Sequence, residues 1–166
     1  MIWTEWDKLT EVVVGSTYDL ESLQQFDDNK FIDGMAKILE ETEQDFSKLS
    51  DIFKSYNVKV HRPKQLPLLK ENTRTWNSKY PYPAICPRDF HVVYGNTILG
   101  TIGGDCNRYT ESDYFLDIML KKFKEGRNYI SMPKPLLQSD YKEYEQLEGQ
   151  ILWHAANIIK CGDMLL

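Results

Sequence analysis

The chain has 166 residues, of which 42% are hydrophobic and 27% are charged, and its formal net charge is −5. These values are typical of a globular protein with one domain, and the acidic balance argues against a nucleic-acid partner, which would need a concentrated basic face. No segment predicts a membrane span, and the first residues lack the basic start and apolar stretch of a signal peptide, so a cytosolic setting is expected.

The first third of the chain predicts a strand, a long helix and a second strand. The valine-rich run 11–16 indicates a buried strand. Between Met35 and Tyr56, apolar residues recur at intervals of three and four with charged residues between them, which predicts an amphipathic helix. The alternating run 58–61 stops before Pro63 and predicts a short strand.

The central third predicts the same order with a hairpin added. A Gly-Asn pair at 95–96 is typical of a hairpin turn, with strands expected over 90–94 and 97–102. A helix over 110–126 and a strand over 128–132 are expected next. Four apolar residues are predicted to share the buried face of this helix: Phe115, Ile118, Met119 and Phe123.

The end of the chain predicts a strand over 150–153 and a final segment over 158–166 that turns at 162–163. The whole order therefore predicts an α/β chain of one domain, built from strand-strand-helix-strand units. The units are expected at about 1–66, 67–135 and, in part, 136–166.

The chain holds three cysteines, at Cys86, Cys106 and Cys161. Their odd number and irregular spacing predict free thiols rather than a disulfide framework. Together with His91 and His154 they lack the close paired spacing of structural zinc sites, so no metal and no cofactor is predicted. His61 and His91 are interpreted as residues at strand ends.

An Arg-Asp pair between a proline-containing loop and an apolar strand is the most informative local feature. Pro83 and Pro87 interrupt any hydrogen-bonding ladder, and Asp89 then falls where an exposed loop meets a rigid strand. A single carboxylate presented there is suited to bind a cation. The alternative interpretation is a solvated acid, or one that pairs with its neighbour Arg88.

Four segments, in the order in which they follow one another along the chain, resemble the amidinotransferase family. Its glycine amidinotransferase members move an amidino group from arginine to an amine. The first is a tryptophan-acid loop that feeds the first strand, the second a Pro-Arg-Asp strand with its turn, the third a proline-containing loop, and the fourth an aromatic residue followed by an Ala-Ala pair. They lie at 3–15, at 87–89 with 95–96, at 133–141, and at 153–157 with 161–162.

The resemblance implies a propeller, in the pentein manner, of five strand-strand-helix-strand units around a central active-site channel. The sequence supplies about two to two and a half of these units, so we expect a truncated, N-terminal portion of such a protein. Because a partial α/β propeller leaves sheet edges and apolar surface uncovered, self-association or a complementary partner chain is expected.

The chemistry that the resemblance implies is a cysteine thiolate that forms a covalent amidino-enzyme, a histidine that moves protons, and carboxylates that hold the guanidinium. A carboxylate and a planar guanidinium form two parallel hydrogen bonds, and the resemblance implies that Asp89 is the carboxylate that grips the guanidinium. Arg108 and Glu111 match an arginine and a glutamate beside the channel. The alternative for Glu111 is an acid placed favourably against the dipole at a helix N-terminus.

Two further positions depart from the family or match it only in part. His154 stands where the family has its second acid, and an imidazole cannot replace a carboxylate as the partner of another imidazolium. The alternative for His154 is a partly buried histidine satisfied by the backbone. Asn157 stands where the family often has a polar residue, and it is expected to keep a structural hydrogen bond.

The catalytic histidine and the nucleophilic cysteine of the family lie beyond the segment 153–157, and Cys161 is interpreted as a small buried residue. The sequence therefore predicts an amidinotransferase-like protein, inactive as an isolated chain, that binds an arginine-like guanidino molecule through Asp89 and Arg108. Two alternatives stay open: a non-catalytic binding or regulatory protein, and one half of a split amidinotransferase. Neither a nucleic acid nor a membrane is predicted as a partner.

Overall fold

The computed structural model describes residues 1–65, 83–102, 108, 111–133 and 153–166. The strands in these ranges are β1 (Glu11–Val13), β2 (Lys59–His61), β3 (His91–Tyr94), β4 (Thr97–Gly100), β5 (Asn128–Ser131), β6 (Lys160–Cys161) and β7 (Met164–Leu165). The helices are α1 (Asn29–Ser55), α2 (Pro87–Phe90) and α3 (Leu116–Lys124), and 3₁₀ turns cover Leu20–Gln25, Glu111–Phe115 and Ala155–Asn157. These elements confirm an α/β chain.

The first sheet is a parallel pair of β1 and β2, connected by α1. Parallel neighbours need a crossover connection, which the long helix provides. The helix begins at Asn29, well before Met35 where the apolar pattern predicts it. The reason is a capping contact, since the carboxylate of Asp28 accepts a hydrogen bond of 3.1 Å from the N–H of Phe31.

The apolar stripe of α1 is buried over part of its length. Leu39 is buried together with Tyr18 and Leu23, whereas Ile38 and Ile52 are 56% and 55% exposed. The described residues therefore leave part of the amphipathic face of α1 open to solvent. None of the described helices is long and apolar enough to cross a bilayer.

The second sheet contains the predicted hairpin, which is confirmed. Strands β3 and β4 pair antiparallel, and β5 joins β4 in parallel with α3 as the crossover. Gly95 has a φ of 58°, which glycine adopts without a steric penalty. It also makes room for a neighbour, because a Cβ there would lie 2.5 Å from the ring of Trp3.

The core of this sheet lies between its strands and α3. Phe115, Ile118 and Met119 are buried against Ile98, as the periodicity predicts. The prediction is wrong for Phe123, which is 58% exposed, and the buried face of the helix continues through Lys122 instead. A 3₁₀ turn precedes α3, and the predicted first residue, Thr110, lies outside the described residues.

A short hairpin of β6 and β7 ends the described chain, with its turn at 162–163 as predicted. The N-terminal segment contacts both this hairpin and the second sheet, since Ile2 bridges to Gly95 and Thr4 bridges to Cys161. The predicted strand over 150–153 falls largely outside the described residues. The N-terminal segment therefore connects the second sheet to the hairpin of β6 and β7.

Candidate functional site

Asp89 lies on the short helix α2, immediately before β3. Pro87 is the first residue of this helix, a position that proline favours because no N–H is needed there. The backbone N–H of Asp89 donates to the carbonyl of Cys86 at 3.1 Å, which closes the turn. The carboxylate thus stands at the start of the sheet, as expected, but on a helical turn rather than on a loop.

The carboxylate of Asp89 binds the guanidinium of Arg108. Nη1 of Arg108 donates to Oδ2 of Asp89 at 2.6 Å, while Nε and Nη2 donate to the two oxygens of Glu111 at 2.6 and 3.0 Å. The guanidinium carbon also lies 4.8 Å from the centre of the Phe90 ring, within the range of a cation–π contact. One cation therefore bridges two carboxylates above an aromatic ring.

Glu111 is a buried member of this cluster, with 1% of its surface exposed. Burial raises the pKa of Glu111, and hydrogen bonds from Arg108 and from the N–H of Cys86 oppose that rise. Burial lowers the pKa of Arg108, but its hydrogen bonds to Glu111 and Asp89 outweigh burial and raise it. Because bidentate contact favours the ionised pair, two carboxylates share one guanidinium and a single negative charge is left over.

Arg88 does not pair with Asp89, so that alternative is wrong. Its guanidinium instead donates to the carbonyl oxygens of Ala155 and Ile158, and it lies 3.6 Å from the carboxylate of Glu5. The arginine of the Pro-Arg-Asp segment therefore ties α2 to the backbone of the 3₁₀ turn that contains the Ala-Ala pair.

His154 lies at the same cluster, and Asn157 lies at its edge. The His154 ring contacts the Phe90 ring at 5.9 Å between centres, and Phe90 in turn contacts Arg108. Asn157 is exposed, and its backbone N–H donates to the carbonyl of His154 at 3.0 Å. Around Phe90 the structure thus brings together three of the candidate residues: Asp89, Arg108 and His154.

Thiol chemistry is not favoured at the described cysteine next to this cluster. Burial and the nearby charge of Asp89 raise the pKa of Cys86, which disfavours the nucleophilic thiolate. Cys161 is partly buried on β6, and Cys106 lies outside the described residues. In the described part of the chain, no three His, Cys, Asp or Glu side chains converge as a metal site.

Two residues of the site have no functional signal in the sequence. Phe90 has no signal beyond an apolar position, although it stacks on two candidate residues. Thr101 has no signal either, yet its hydroxyl donates to the carbonyl of Asp89 and accepts from the N–H of Ala155, both at 3.2 Å. The ion pair of Arg108 and Glu111 does have a signal, because three residues separate them along the chain.

No family model matches the chain. The inosamine-phosphate amidinotransferase 1 of Streptomyces glaucescens is 28% identical over 191 residues, and the match covers 99% of this chain and 53% of that relative. A solved inosamine-phosphate amidinotransferase of Streptomyces griseus has a TM-score of 0.66 at 26% identity. An amidinotransferase of the saxitoxin biosynthetic pathway of Microseira wollei has a TM-score of 0.70 at 22% identity, a likeness of fold.

Both solved structures also match over 99% of this chain and 53% of their own length. The chain thus spans about half the length of the curated relatives it matches. The resemblance that the four sequence segments indicate is confirmed by these matches over nearly the whole chain. The chain is therefore similar in sequence and fold to amidinotransferases over nearly its whole length.

Proposed function

We propose that these residues supply the guanidinium-binding carboxylate of an amidinotransferase site, with Asp89 holding the guanidino group of an arginine-like small molecule. The observation that carries this proposal is the contact that Asp89 already makes, a hydrogen bond of 2.6 Å with the guanidinium of Arg108. The names of the relatives, which are amidinotransferases, favour the same chemistry.

The net negative charge of the cluster favours the binding of a second cation. Asp89 and Glu111 share the single guanidinium of Arg108, so a ligand guanidinium would neutralise the remaining negative charge. Arg108 contacts one oxygen of the Asp89 carboxylate, and the other oxygen is proposed to accept the ligand. In this arrangement Arg108 takes part in binding by fixing the orientation of Asp89. Both side chains are about one-fifth exposed and therefore reachable.

The scaffold that we propose is part of an α/β propeller. The order β1-α1-β2 and the order β4-α3-β5 each form a parallel pair with a helical crossover, and β6 and β7 would open a further unit. The unit bounds remain those expected from the sequence, at about 1–66, 67–135 and 136–166. The nucleophile and the proton-transferring histidine come, in this proposal, from residues outside this sequence, so the chain alone binds its ligand without turnover.

Binding tests the role of Asp89 directly. We expect calorimetry to detect binding of L-arginine, and to find L-citrulline, which has a neutral urea group instead of the guanidinium, bound at least about tenfold more weakly. Asp89→Asn should lose arginine affinity by at least about tenfold, because a charge-assisted hydrogen bond is removed. Asp117→Asn, which makes the same change at an exposed acid of α3, is the matched control and should bind as the unaltered chain does.

Arginine binding of equal strength by the unaltered chain and by Asp89→Asn would contradict the assignment, as would the absence of binding in the unaltered chain. A second assay addresses catalysis, in which ornithine is measured after incubation of the chain with arginine and either glycine or an inosamine phosphate. We expect none. Ornithine formed by a variant without its three cysteines would refute both the inactivity and the thiolate mechanism.

A further inference from the structure

A cavity of about 370 Å³ lies between β1, β3 and α3, and it is separate from the Asp89 cluster. Asp89, Arg108 and Glu111 are not among the described residues that line this cavity. Its volume falls in the range of sites that bind small molecules. Its wall is mainly apolar and contains Val13, Val93, Ile98, Ile118 and Met119.

His91 is a buried polar residue in this wall, with 7% of its surface exposed. Within the described ranges, neither ring nitrogen has a hydrogen-bond partner. Phe115 packs edge-on against the ring at 5.5 Å and offers no polar atom. Because buried polar atoms in proteins are almost always hydrogen-bonded, a buried histidine without a partner among the described residues is suited to bind a polar group of a ligand.

The protonation state of His91 decides which group that is. Burial lowers the pKa of His91 to about 4, while the nearby carbonyl of Pro87 acts in the opposite direction without reaching hydrogen-bond geometry. The ring is therefore neutral near pH 7, with one N–H and one acceptor nitrogen. With Pro87 as the available neighbour for the N–H, the acceptor nitrogen would take a hydrogen bond from a donor such as a hydroxyl group.

Several other polar side chains at this cavity already have partners. Lys122 and His61 both bind the carboxylate of Glu11, the latter at 2.8 Å. Arg127 donates to the side-chain oxygen of Asn96 at 2.9 Å. Unlike these side chains, His91 has no hydrogen-bond partner among the described residues.

The rim has an excess of positive charge. A single carboxylate, that of Glu11, lines the cavity in the described part of the chain, together with four cationic side chains. The four are Lys8, Arg88, Lys122 and Arg127. Lys122 also pairs with Glu125 and Arg88 with Glu5, so the excess comes from Lys8 and Arg127, for which no acid partner is seen among the described residues. Lys8 is exposed and makes no ion pair with the residues that the structure describes. Such a rim attracts an anionic group.

We propose that this cavity binds a small amphiphilic carboxylic acid, with an apolar body between β3 and α3, a hydroxyl group that donates to His91, and a carboxylate at the rim beside Lys8. The hydroxyl satisfies the acceptor nitrogen, the body fills the apolar wall, and the carboxylate meets the charge excess. The site is independent of the proposed function, because Asp89 takes no part in it.

Nuclear magnetic resonance can follow the site residue by residue, because the chain has only three histidines. The probes are 4-hydroxyphenylacetate, phenylacetate, which lacks the hydroxyl, and 4-methylphenol, which lacks the carboxylate. We expect 4-hydroxyphenylacetate to shift the ring signals of His91 and to leave those of His154 in place. Phenylacetate and 4-methylphenol should each bind about tenfold more weakly, since each loses one polar contact.

Two variants separate the parts of the proposal. His91→Phe keeps a flat ring against Phe115 but removes the acceptor nitrogen. The affinity of this variant for 4-hydroxyphenylacetate should therefore fall to the affinity that the unaltered chain has for phenylacetate. Lys8→Met should weaken both acids but not 4-methylphenol, whereas Lys30→Met, which changes an exposed lysine of α1 outside the cavity, should weaken none.

The unaltered chain decides the proposal even if His91→Phe does not fold. Equal affinity for 4-hydroxyphenylacetate and phenylacetate, or His91 signals that stay in place at saturating probe, would overturn it. L-Arginine should neither shift His91 nor compete with 4-hydroxyphenylacetate, and competition would also overturn it, because the two sites would then not be independent.

Discussion

Asp89 and His91 are two residues apart in the sequence, and they differ in how the surrounding chain treats a buried polar group. Asp89 faces a guanidinium at 2.6 Å, backed by the buried Glu111. His91 is 7% exposed and has no hydrogen-bond partner among the described residues. One group is held as a charge within an ion-pair cluster, while the other is kept neutral in an apolar wall.

Within the same short segment, the charged cluster at Asp89 and the neutral ring at His91 affect the stability of the fold in opposite ways. In the Asp89 cluster, both carboxylates depend on Arg108, so removing that cation leaves the buried Glu111 without compensation. At His91, the polar ring itself is unfavourable in the empty protein, so removing its polarity should cost little or even stabilise the fold. Substitutions in the two places should therefore change stability in opposite directions.

The largest expected effect is at Arg108. Arg108→Met leaves Glu111 and Asp89 without their shared cation, and breaking such a buried pair should lower the free energy of unfolding by about 3–5 kcal/mol. Urea unfolding followed by circular dichroism measures the change. Arg127→Met is the matched control, because that arginine donates to a neutral amide, and it should lose at most about 1 kcal/mol.

A double variant sharpens the test of Arg108. Arg108→Met combined with Glu111→Gln replaces the most buried charge by a neutral group, so it should recover part of the lost stability. If the double variant were as unstable as the sum of its two single variants, the two residues would not be coupled and the description of the cluster would be wrong.

The next effect is the pH dependence that His91 contributes. Its pKa is lowered to about 4 in the folded chain, so its contribution to stability is complete above pH 6.5 and is lost as the pH falls to about 4. Each tenfold difference in proton affinity is worth about 1.4 kcal/mol, so the loss between these limits is about 3 kcal/mol.

His91→Phe isolates this contribution. The difference in unfolding free energy between His91→Phe and the unaltered chain should grow by about 3 kcal/mol from pH 7 to pH 4, in favour of the variant. Parallel pH profiles would mean that the ring has a polar partner in the folded protein, and the contrast with Asp89 would disappear.

Local sequence signals predict the elements better than the contacts between them. The hairpin turn at 95–96 and the periodicity before α3 depend on neighbouring residues, and both are confirmed. The start of α1 is misplaced because it depends on the cap at Asp28, which lies outside the apolar pattern. Phe123 is misplaced because periodicity gives the buried face only approximately, and at this turn of α3 the neighbouring Lys122 is buried instead.

The partners in the site depend on distant parts of the chain, which a single sequence does not reveal. The proline-containing loop predicts the place of Asp89, but its contact with Arg108 spans 19 residues and depends on tertiary packing. Arg88 reaches Ala155 across 67 residues, although its nearest acid in the sequence is Asp89. His91 is a strand-end residue as predicted, but its ring packs against Phe115, which lies in the 3₁₀ turn before α3, in a later part of the chain.

A smaller effect is expected at Arg88, which links α2 to the 3₁₀ turn at Ala155–Asn157. Arg88→Met removes the hydrogen bonds to the carbonyls of Ala155 and Ile158, and it should lower stability by about 1–2 kcal/mol because the arginine is partly exposed. Amide hydrogen exchange should also become faster at the N–H groups of Asn157 and Ile158, which close the 3₁₀ turn. Unchanged exchange there would show that the turn is held without the arginine.

The smallest effect should come from Glu11, an acid with partners at a more exposed place than Asp89. Hydrogen bonds from Lys122 and His61 lower the pKa of Glu11 to about 2, so its contribution is present above pH 4.5 and is lost as the pH falls toward 2.

Because the side chain of Glu11 is 37% exposed, solvent screens the contribution and we expect about 1 kcal/mol rather than the value that the pKa alone implies. Glu11→Gln in the His91→Phe background should flatten the profile between pH 4.5 and 2, whereas Glu40→Gln, at an exposed acid of α1, should not. A loss at Glu11 as large as that at Arg108 would show that burial does not set the difference between ion pairs in this protein.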